Sequence, residues 1–296
     1  MQSTKQIIKS VKKIEINTKH LVDSLLQGAY HSIFKGRGIE FSEVREYVLG
    51  DDVRTIDWNV TARMNHPFVK EFIEERDLTI YIVFDISASG EFGYQRMKKS
   101  YAVELAASLM FAALRNNDKV GLCLFTSDVE RFLQARKGKR HVLMLIRELL
   151  YYSPKHKQTD LNRVLVYLSK VLKKRAIIFI ISDFMTGRFY KPLKIIKRKH
   201  DIVAIRIVDP RELEIPDVGF IELEDEETGE QILVDTSDYR FRENYKSTML
   251  KMAEELKRNL NKISIDLVEI RTDEPFDVPL RKFFKLRKKR LSLIHI

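Results

Sequence analysis

At 296 residues, with 44% apolar and 32% charged residues, the chain is long enough to bury one large core, and 7 Pro and 11 Gly are too few for extended disorder. One cysteine excludes a disulfide framework, and a net charge of +11 raises the question of an anionic partner. No run approaches the roughly 18 to 20 uninterrupted apolar residues of a membrane span, and Lys5, Lys9, Lys12 and Lys13 interrupt any signal-peptide stretch. The expectation is a cytoplasmic protein with no transmembrane segment.

Over the first thirty residues, Ile7, Ile8, Val11, Ile14, Leu21, Leu25 and Leu26 recur at helical spacing, which predicts a packed helical leader. Residues 36–76 differ: Gly36, Gly38 and Gly50 punctuate dense charge before an extended Pro67–Phe72 stretch. Residues 1–76 therefore read as an N-terminal helix and accessory subdomain. Within it, Gly50 is expected to end a helical turn and Asp51 or Asp52 to cap the next. Arg45, Arg54 and Arg63 are expected to pair with Glu40, Glu43 and Asp57, and Trp58 to be buried.

From residue 77 strands and helices alternate. Strands are predicted at Leu78–Asp85, Lys119–Phe125, Val129–Gln134, Ala176–Ser182 and Ile202–Val208, with helices at Arg96–Arg115, Arg140–Tyr152, Asp160–Lys173 and near 191–199. Cys123 lies inside an apolar run and is assigned to the core. Residues 218–234 read as a hairpin insertion, because Val218–Leu223 and Gln231–Val234 flank Glu227-Thr228-Gly229-Glu230. A helix near 240–261 and a strand at Ile263–Ile270 complete a domain over 77–275. The fold class is α/β: a doubly wound, mainly parallel, Rossmann-type sheet. In residues 276–296, Arg281–Arg290 holds seven basic residues and no acid. Phe283, Phe284 and Leu286 give that segment an apolar side, which favours packing on the body over binding nucleic acid.

The chemistry gathers at two strand ends. In Asp85-Ile86-Ser87-Ala88-Ser89 a buried strand breaks into one carboxylate and two hydroxyls at alternate positions, and Asp183 ends a second apolar strand, with Thr159 ahead of a helix. In a sheet ordered 3-2-1-4-5-6 the first and fourth strands are neighbours, so Asp85 and Asp183 emerge into one crevice within reach of Thr159. Carboxylates mixed with neutral hydroxyls suit Mg²⁺, with Mn²⁺ or Ca²⁺ as alternatives, and leave the ion undercharged toward an acidic ligand. The same residue types, taken singly, are ordinary helix caps and turn formers.

Asp-x-Ser-x-Ser with a distant Thr and a distant Asp resembles the metal-ion-dependent adhesion site of von Willebrand factor A domains. That resemblance implies direct metal contacts from Ser87, Ser89 and Thr159, and contacts through waters or serine hydroxyls from Asp85 and Asp183. Gly90-Glu91-Phe92 departs from it, since relatives often carry Met after the last serine. The upstream block Gly38-Ile39-Glu40-Phe41, Gly50-Asp51-Asp52, Arg54, Ile56-Asp57-Trp58 and Ala62-Arg63 resembles the bacterial family called domain of unknown function fifty-eight. It implies a von Willebrand factor A-like fold and a MoxR-type AAA+ ATPase as partner, with Bat-type proteins as further partners. Many relatives carry N-terminal transmembrane helices, and none is visible here.

Two functions follow. The first is a non-enzymatic, metal-dependent protein interaction module that captures a partner's acidic side chain. The second is a metal-dependent phosphoester hydrolase or nuclease, suggested by the same cation and by Glu71, Glu74 and Glu75. It lacks a histidine at a strand end beside the site: His141, His156 and His200 are expected on the surface.

Overall fold

The charge-dense stretch after residue 38 folds around two strands, β1 (Ile39–Glu46) and β2 (Phe68–Glu74), paired antiparallel with a register shift between Phe41 and Glu43. A strand, not a helical turn, thus precedes Gly50. That glycine sits at φ 113 in a turn closed by the Asp51 amide on the Val48 carbonyl at 3.0 Å. Asp51 accepts both Arg45 guanidinium nitrogens at 2.8 Å, and this pairing, with the Val48 N–H, holds its pKa down at about 2. Asp52 caps the 3₁₀ turn Val53–Thr55 as expected, while Asp57 caps helix α1 (Trp58–Met64) and faces Lys70 at 3.4 Å. Trp58 is 69% exposed, so its expected burial is corrected.

This is a computed structural model that describes residues 12, 14, 15, 39–74, 78–88, 98–224 and 229–293, without the side chains of 39–42, 71–74 and 291–293. Two compact units divide the chain, residues 34–78 and residues 1–33 with 79–296. Most of the expected leader lies outside the described residues. Lys12, Ile14 and Glu15 are helical, Ile14 is buried, and Glu15 accepts a 2.7 Å hydrogen bond from Lys139.

In the larger unit the apolar runs become strands β3 (Thr79–Asp85), β4 (Lys119–Phe125), β5 (Val129–Arg136), β6 (Ile177–Ser182) and β7 (Asp201–Val208). β8 (Phe220–Glu224) and β9 (Gln231–Asp235) form the separate antiparallel hairpin, and β10 (Asp266–Arg271) returns to the main sheet. The sheet runs β10-β7-β6-β3-β4-β5, with β5 alone antiparallel, which is the doubly wound order expected. Helices α2 (Lys98–Arg115), α3 (Lys139–Tyr151), α4 (Leu161–Val171), α5 (Tyr190–Lys197), α6 (Pro210–Leu213), α7 (Tyr239–Lys262) and α8 (Asp277–Leu293) connect and cover it. Among the described residues no helix is long and apolar enough to cross a membrane.

Two elements differ from expectation and a third, α8, agrees with it. α6 carries a capping box, with Asp209 and Glu212 satisfying each other's backbone and Pro210 at the first position. The last strand begins at Asp266 rather than Ile263, because Ile263, Ser264 and Ile265 donate back to Leu260 and Asn261 to close α7. α8 docks its basic segment: Phe283 and Phe284 are buried, while Arg287 bonds both Asp201 and Asp266.

The core is continuous across the sheet. Ile80, Ile82, Val83 and Phe84 of β3 are at most 1% exposed, and Cys123 is fully buried, which pushes its thiol pKa far up. Each such side chain contributes about 1.5–3 kcal/mol through burial. Gly121 makes room for Tyr81, whose ring stacks on Phe132 at 5.6 Å while its hydroxyl accepts from the Ala135 amide at 3.2 Å. A Cβ at Gly121 would meet Tyr81 carbons at 2.3 and 2.6 Å and the Leu133 carbonyl oxygen at 2.9 Å. Gly121→Ala is expected to destabilise the protein by about 1–3 kcal/mol, read as a lowered urea midpoint at unchanged slope.

Candidate metal centre

The winding reverses between β3 and β6, which pair in parallel with Phe84 opposite Ile181. That register sets Asp85 beside Ser182, and the Ser182 hydroxyl donates to the Asp85 carboxylate at 2.7 Å. The Ser87 amide donates to the other Asp85 oxygen at 3.0 Å, curling the chain into an Asx-type turn. Asp183 follows, its carboxylate accepting from the Met185 amide at 3.0 Å. Between them Phe184 sits at φ 59, a strained conformation for a bulky residue, and its amide bonds the Ser182 hydroxyl. The backbone is bent to present Asp183 at the sheet edge.

A third loop closes over this edge. The Ala88 amide bonds the Lys157 carbonyl at 3.1 Å, the Asp160 amide bonds the Thr126 carbonyl at 3.0 Å, and the Thr186 hydroxyl bonds the Thr159 carbonyl at 3.0 Å. Glu130 fastens the same loop by accepting the Lys155 and His156 amides and the Thr126 hydroxyl. Burial pushes its carboxyl pKa up, but those bonds outweigh it and hold it below its usual value. Thr159 is thereby fixed between the segments after β3 and β6.

A cavity of about 30 Å³ opens here, lined by Asp85, Ser87, Ser182, Asp183, Lys98 and Lys99 above the apolar floor of Phe84, Ile181 and Ile207. It has room for a water-sized group. Asp85, Ser87 and Asp183 therefore meet at one cavity, while Thr159 stands on the adjoining loop and outside the lining. Ser89 lies outside the described residues, as do the side chains of Glu71, Glu74 and Glu75.

Electrostatics here oppose a bare carboxylate. Burial, and then repulsion from Asp183, push the Asp85 pKa up to about 6 against the pull of its hydrogen bonds from Ser182 and Ser87. Lys98 answers the charge on Asp183: its ammonium, 5% exposed as a residue, lies 3.4 Å from Asp183 and 2.7 Å from Glu212. Burial lowers the Lys98 pKa, but the two carboxylates outweigh it and hold the pKa above its usual value. Asp183 and Glu212 against Lys98 carry one net negative charge, to which an ionised Asp85 adds another. Oxygen donors of this kind suit a hard divalent cation. Among the described residues no group of three or more His, Cys, Asp or Glu is placed to hold a metal ion, here or elsewhere, so a cation at this cavity would depend on hydroxyl oxygens beside the carboxylates.

Lys98, Ser182 and Glu212 were not identified from sequence. The signal for Lys98 was present: it lies three, four and seven residues before Tyr101, Ala102 and Leu105, on the buried stripe of α2. His200, expected on the surface, is 4% exposed, whereas His141 bonds the Val120 carbonyl at 2.9 Å at the opposite edge of the sheet.

The family model described as protein of unknown function DUF58 matches residues 43–255. The uncharacterized protein Rv1480 of Mycobacterium tuberculosis is 30% identical over 284 residues, spanning 95% of this chain and 89% of its own. The uncharacterized protein YeaD of Bacillus subtilis is 24% identical over 135 residues, 46% of this chain and 31% of its own. Among solved structures, the conserved hypothetical protein BatB of Bacteroides thetaiotaomicron overlaps at a TM-score of 0.48 and 17% identity, covering 73% of this chain and 98% of that one. Proximal thread matrix protein 1 from the mussel byssus, with a zinc-occupied MIDAS motif, overlaps at 0.36 and 17% identity, covering 44% and 38%.

The Asp85 shift predicts a stability trade. A folded-state pKa near 6 against 3.8 means that its stabilising contribution is complete below pH 3.8 and is lost as pH rises through 6. In chelator, Asp85→Asn is expected to be more stable than wild type by about 1–2 kcal/mol at pH 7.5, with the gain vanishing near pH 4. Urea titrations at the two pH values measure this, and an equal gain at both would refute it.

Proposed function

The chain belongs to the family of proteins of unknown function DUF58, and we propose that it is a non-enzymatic, divalent-cation-dependent protein interaction module. The carrying observation is that Asp85, Ser87 and Asp183, from two neighbouring strand ends, line one small cavity. Ser87 and Thr159 would hold Mg²⁺ through their hydroxyls, with Ser89 completing the Asp-x-Ser-x-Ser loop and Asp85 and Asp183 behind them as the charged support. Mn²⁺ and Ca²⁺ are the alternatives. When bound, the ion supplies a Lewis-acidic position for one carboxylate from outside the chain. The residues of the chain do the rest: Ser182 orients Asp85, Met185 orients Asp183, and Lys98 limits the negative charge at the cavity.

The partner we propose is a MoxR-type AAA+ ATPase, with Bat-type proteins as further candidates, engaged through an Asp or Glu side chain. Two lysines, two serines and two carboxylates line the cavity, with no histidine among them, and this favours charge capture over hydrolysis. A second cation beside Lys98 is disfavoured by repulsion, so affinity for the ion is set by the balance between Lys98 and its carboxylates.

Two measurements test the reading. Mn²⁺ titrations followed by electron paramagnetic resonance should show one site weakened at least tenfold by Asp85→Ala or Thr159→Ala and tightened about tenfold by Lys98→Gln. Capture from native lysate should then retain an AAA+ ATPase with wild type in Mg²⁺ but not in chelator or with Asp85→Ala. Metal-dependent turnover of a phosphodiester that needs Asp183 would instead select the hydrolase.

A further inference from the structure

The edge of the sheet opposite the cavity is strongly basic. In a parallel sheet the loops entering the strands share one edge, so Lys173, Lys174 and Arg175 ahead of β6 lie beside Arg198 and Lys199 ahead of β7. All five are exposed, and among the described residues none has a carboxylate within ion-pair distance. The acids that could neutralise them are already engaged. Arg287 of α8 bonds Asp201 at the start of β7 and Asp266 at the start of β10, and Arg290 bonds Asp266 at 2.7 Å. Those contacts also bring the end of α8, with exposed Lys288, to the same edge.

Helix dipoles account for part of this. α4, α5 and α7 end here, and Lys170, Lys194, Lys197 and Lys262 occupy their last turns, where a cation is stabilising. Lys173, Lys174, Arg175 and Lys199 lie beyond those turns and repel one another. Buried His200 beneath them registers the field: burial first, then Lys199 and Arg175, push its pKa down to about 4. The imidazole beneath the patch therefore stays neutral, and the surface charge faces outward without a carboxylate beside it.

We propose that this edge docks on an anionic lipid bilayer. Lysine predominates over arginine, which suits delocalised attraction to headgroups rather than bidentate reading of a base. α5 and α8 each expose an aliphatic side chain among lysines, Ile195 at 60% beside Lys191 and Lys194 and Leu286 at 50% beside Lys282 and Lys285. Such side chains can enter the headgroup boundary, whereas Phe283 and Phe284, the aromatics of α8, are buried and offer no stacking platform for single-stranded nucleic acid. Docking at this edge would point the Asp85 cavity away from the bilayer.

Sedimentation of the full chain with phosphatidylcholine vesicles, with and without phosphatidylglycerol, tests the proposal. Binding is expected only to the anionic vesicles, weakening with salt and unchanged by chelator, so its outcome is separate from that of the metal site. Combined Lys173→Ala, Lys174→Ala and Arg175→Ala should weaken it about a hundredfold. Lys199→Ala with Lys288→Ala, on different elements, should weaken it more than tenfold, so that a folding defect in one variant does not decide the matter. Equal binding to neutral vesicles, wild-type binding by both variants, or no vesicle binding would overturn the proposal. Anisotropy with duplex DNA supplies the remaining outcome: salt-dependent DNA binding without vesicle binding would assign the edge to nucleic acid instead.

Discussion

The parallel pairing of β3 with β6 is the constraint on which the site depends. Its register is fixed by two buried apolar runs, Ile80–Phe84 and Ile177–Ile181, and a slip of one residue would turn every side chain to the other face. With that register set, Asp85 and Ser182 must be neighbours, and Asp183 must leave the sheet one residue later. The 2.7 Å bond between Ser182 and Asp85 is thus a result of hydrophobic burial several residues away. Burial supplies the energy, and the polar strand ends accept the geometry it imposes.

That geometry has an electrostatic cost, and Lys98 shows how the fold meets it. Two carboxylates at adjacent strand ends raise each other's energy, and without a counter-charge the pair would resist burial. α2 is almost wholly apolar on its inner side, yet it places Lys98 there, between Asp183 and Glu212. Glu212 is itself fixed by the capping box of α6, whose Asp209 accepts from the Thr272 hydroxyl at 2.8 Å. The charge at the cavity is therefore tied through α6 to the end of β10. The strained Phe184 belongs to the same pattern, since strain persists only where surrounding contacts over-determine it.

Much of this was legible in the sequence because burial and period are local signals. β4 runs over Lys119–Phe125 as expected, and α3, α4, α5 and α7 fall within a few residues of their expected spans, since long amphipathic stretches leave little choice of face. β1 was hidden because its register shift near Ser42 spaces Ile39, Phe41 and Val44 by two and then three, which breaks the alternation. α6 was readable as Asp-Pro-x-Glu and too short to show a period. At the site, Asp85 and Asp183 could be assigned to strand ends and brought together by topology. Local spacing marks Lys98 as buried but does not name its partners, and Glu212 meets the site from elsewhere in the fold with no local signal. Trp58 misled because its size argues for burial, while its place in the first turn of α1 leaves it exposed.

The two edges of the sheet differ for one topological reason. Every helix returning a parallel strand runs opposite to it, so helix N-termini gather at the carboxyl edge and C-termini at the amino edge. Asp160, Asp209 and Asp238 cap α4, α6 and α7 on the first edge, and lysines fill the last turns of α4, α5 and α7 on the other. Dipole complementarity thus biases one edge toward acids and the other toward bases before any ligand is considered. What exceeds that bias is the informative part: Asp85 and Asp183 cap no helix, and Lys173, Lys174 and Arg175 lie past the end of one. Charge that the helices do not require is either met by another side chain, as Lys98 meets Asp183, or left exposed, as at Lys173, Lys174 and Arg175.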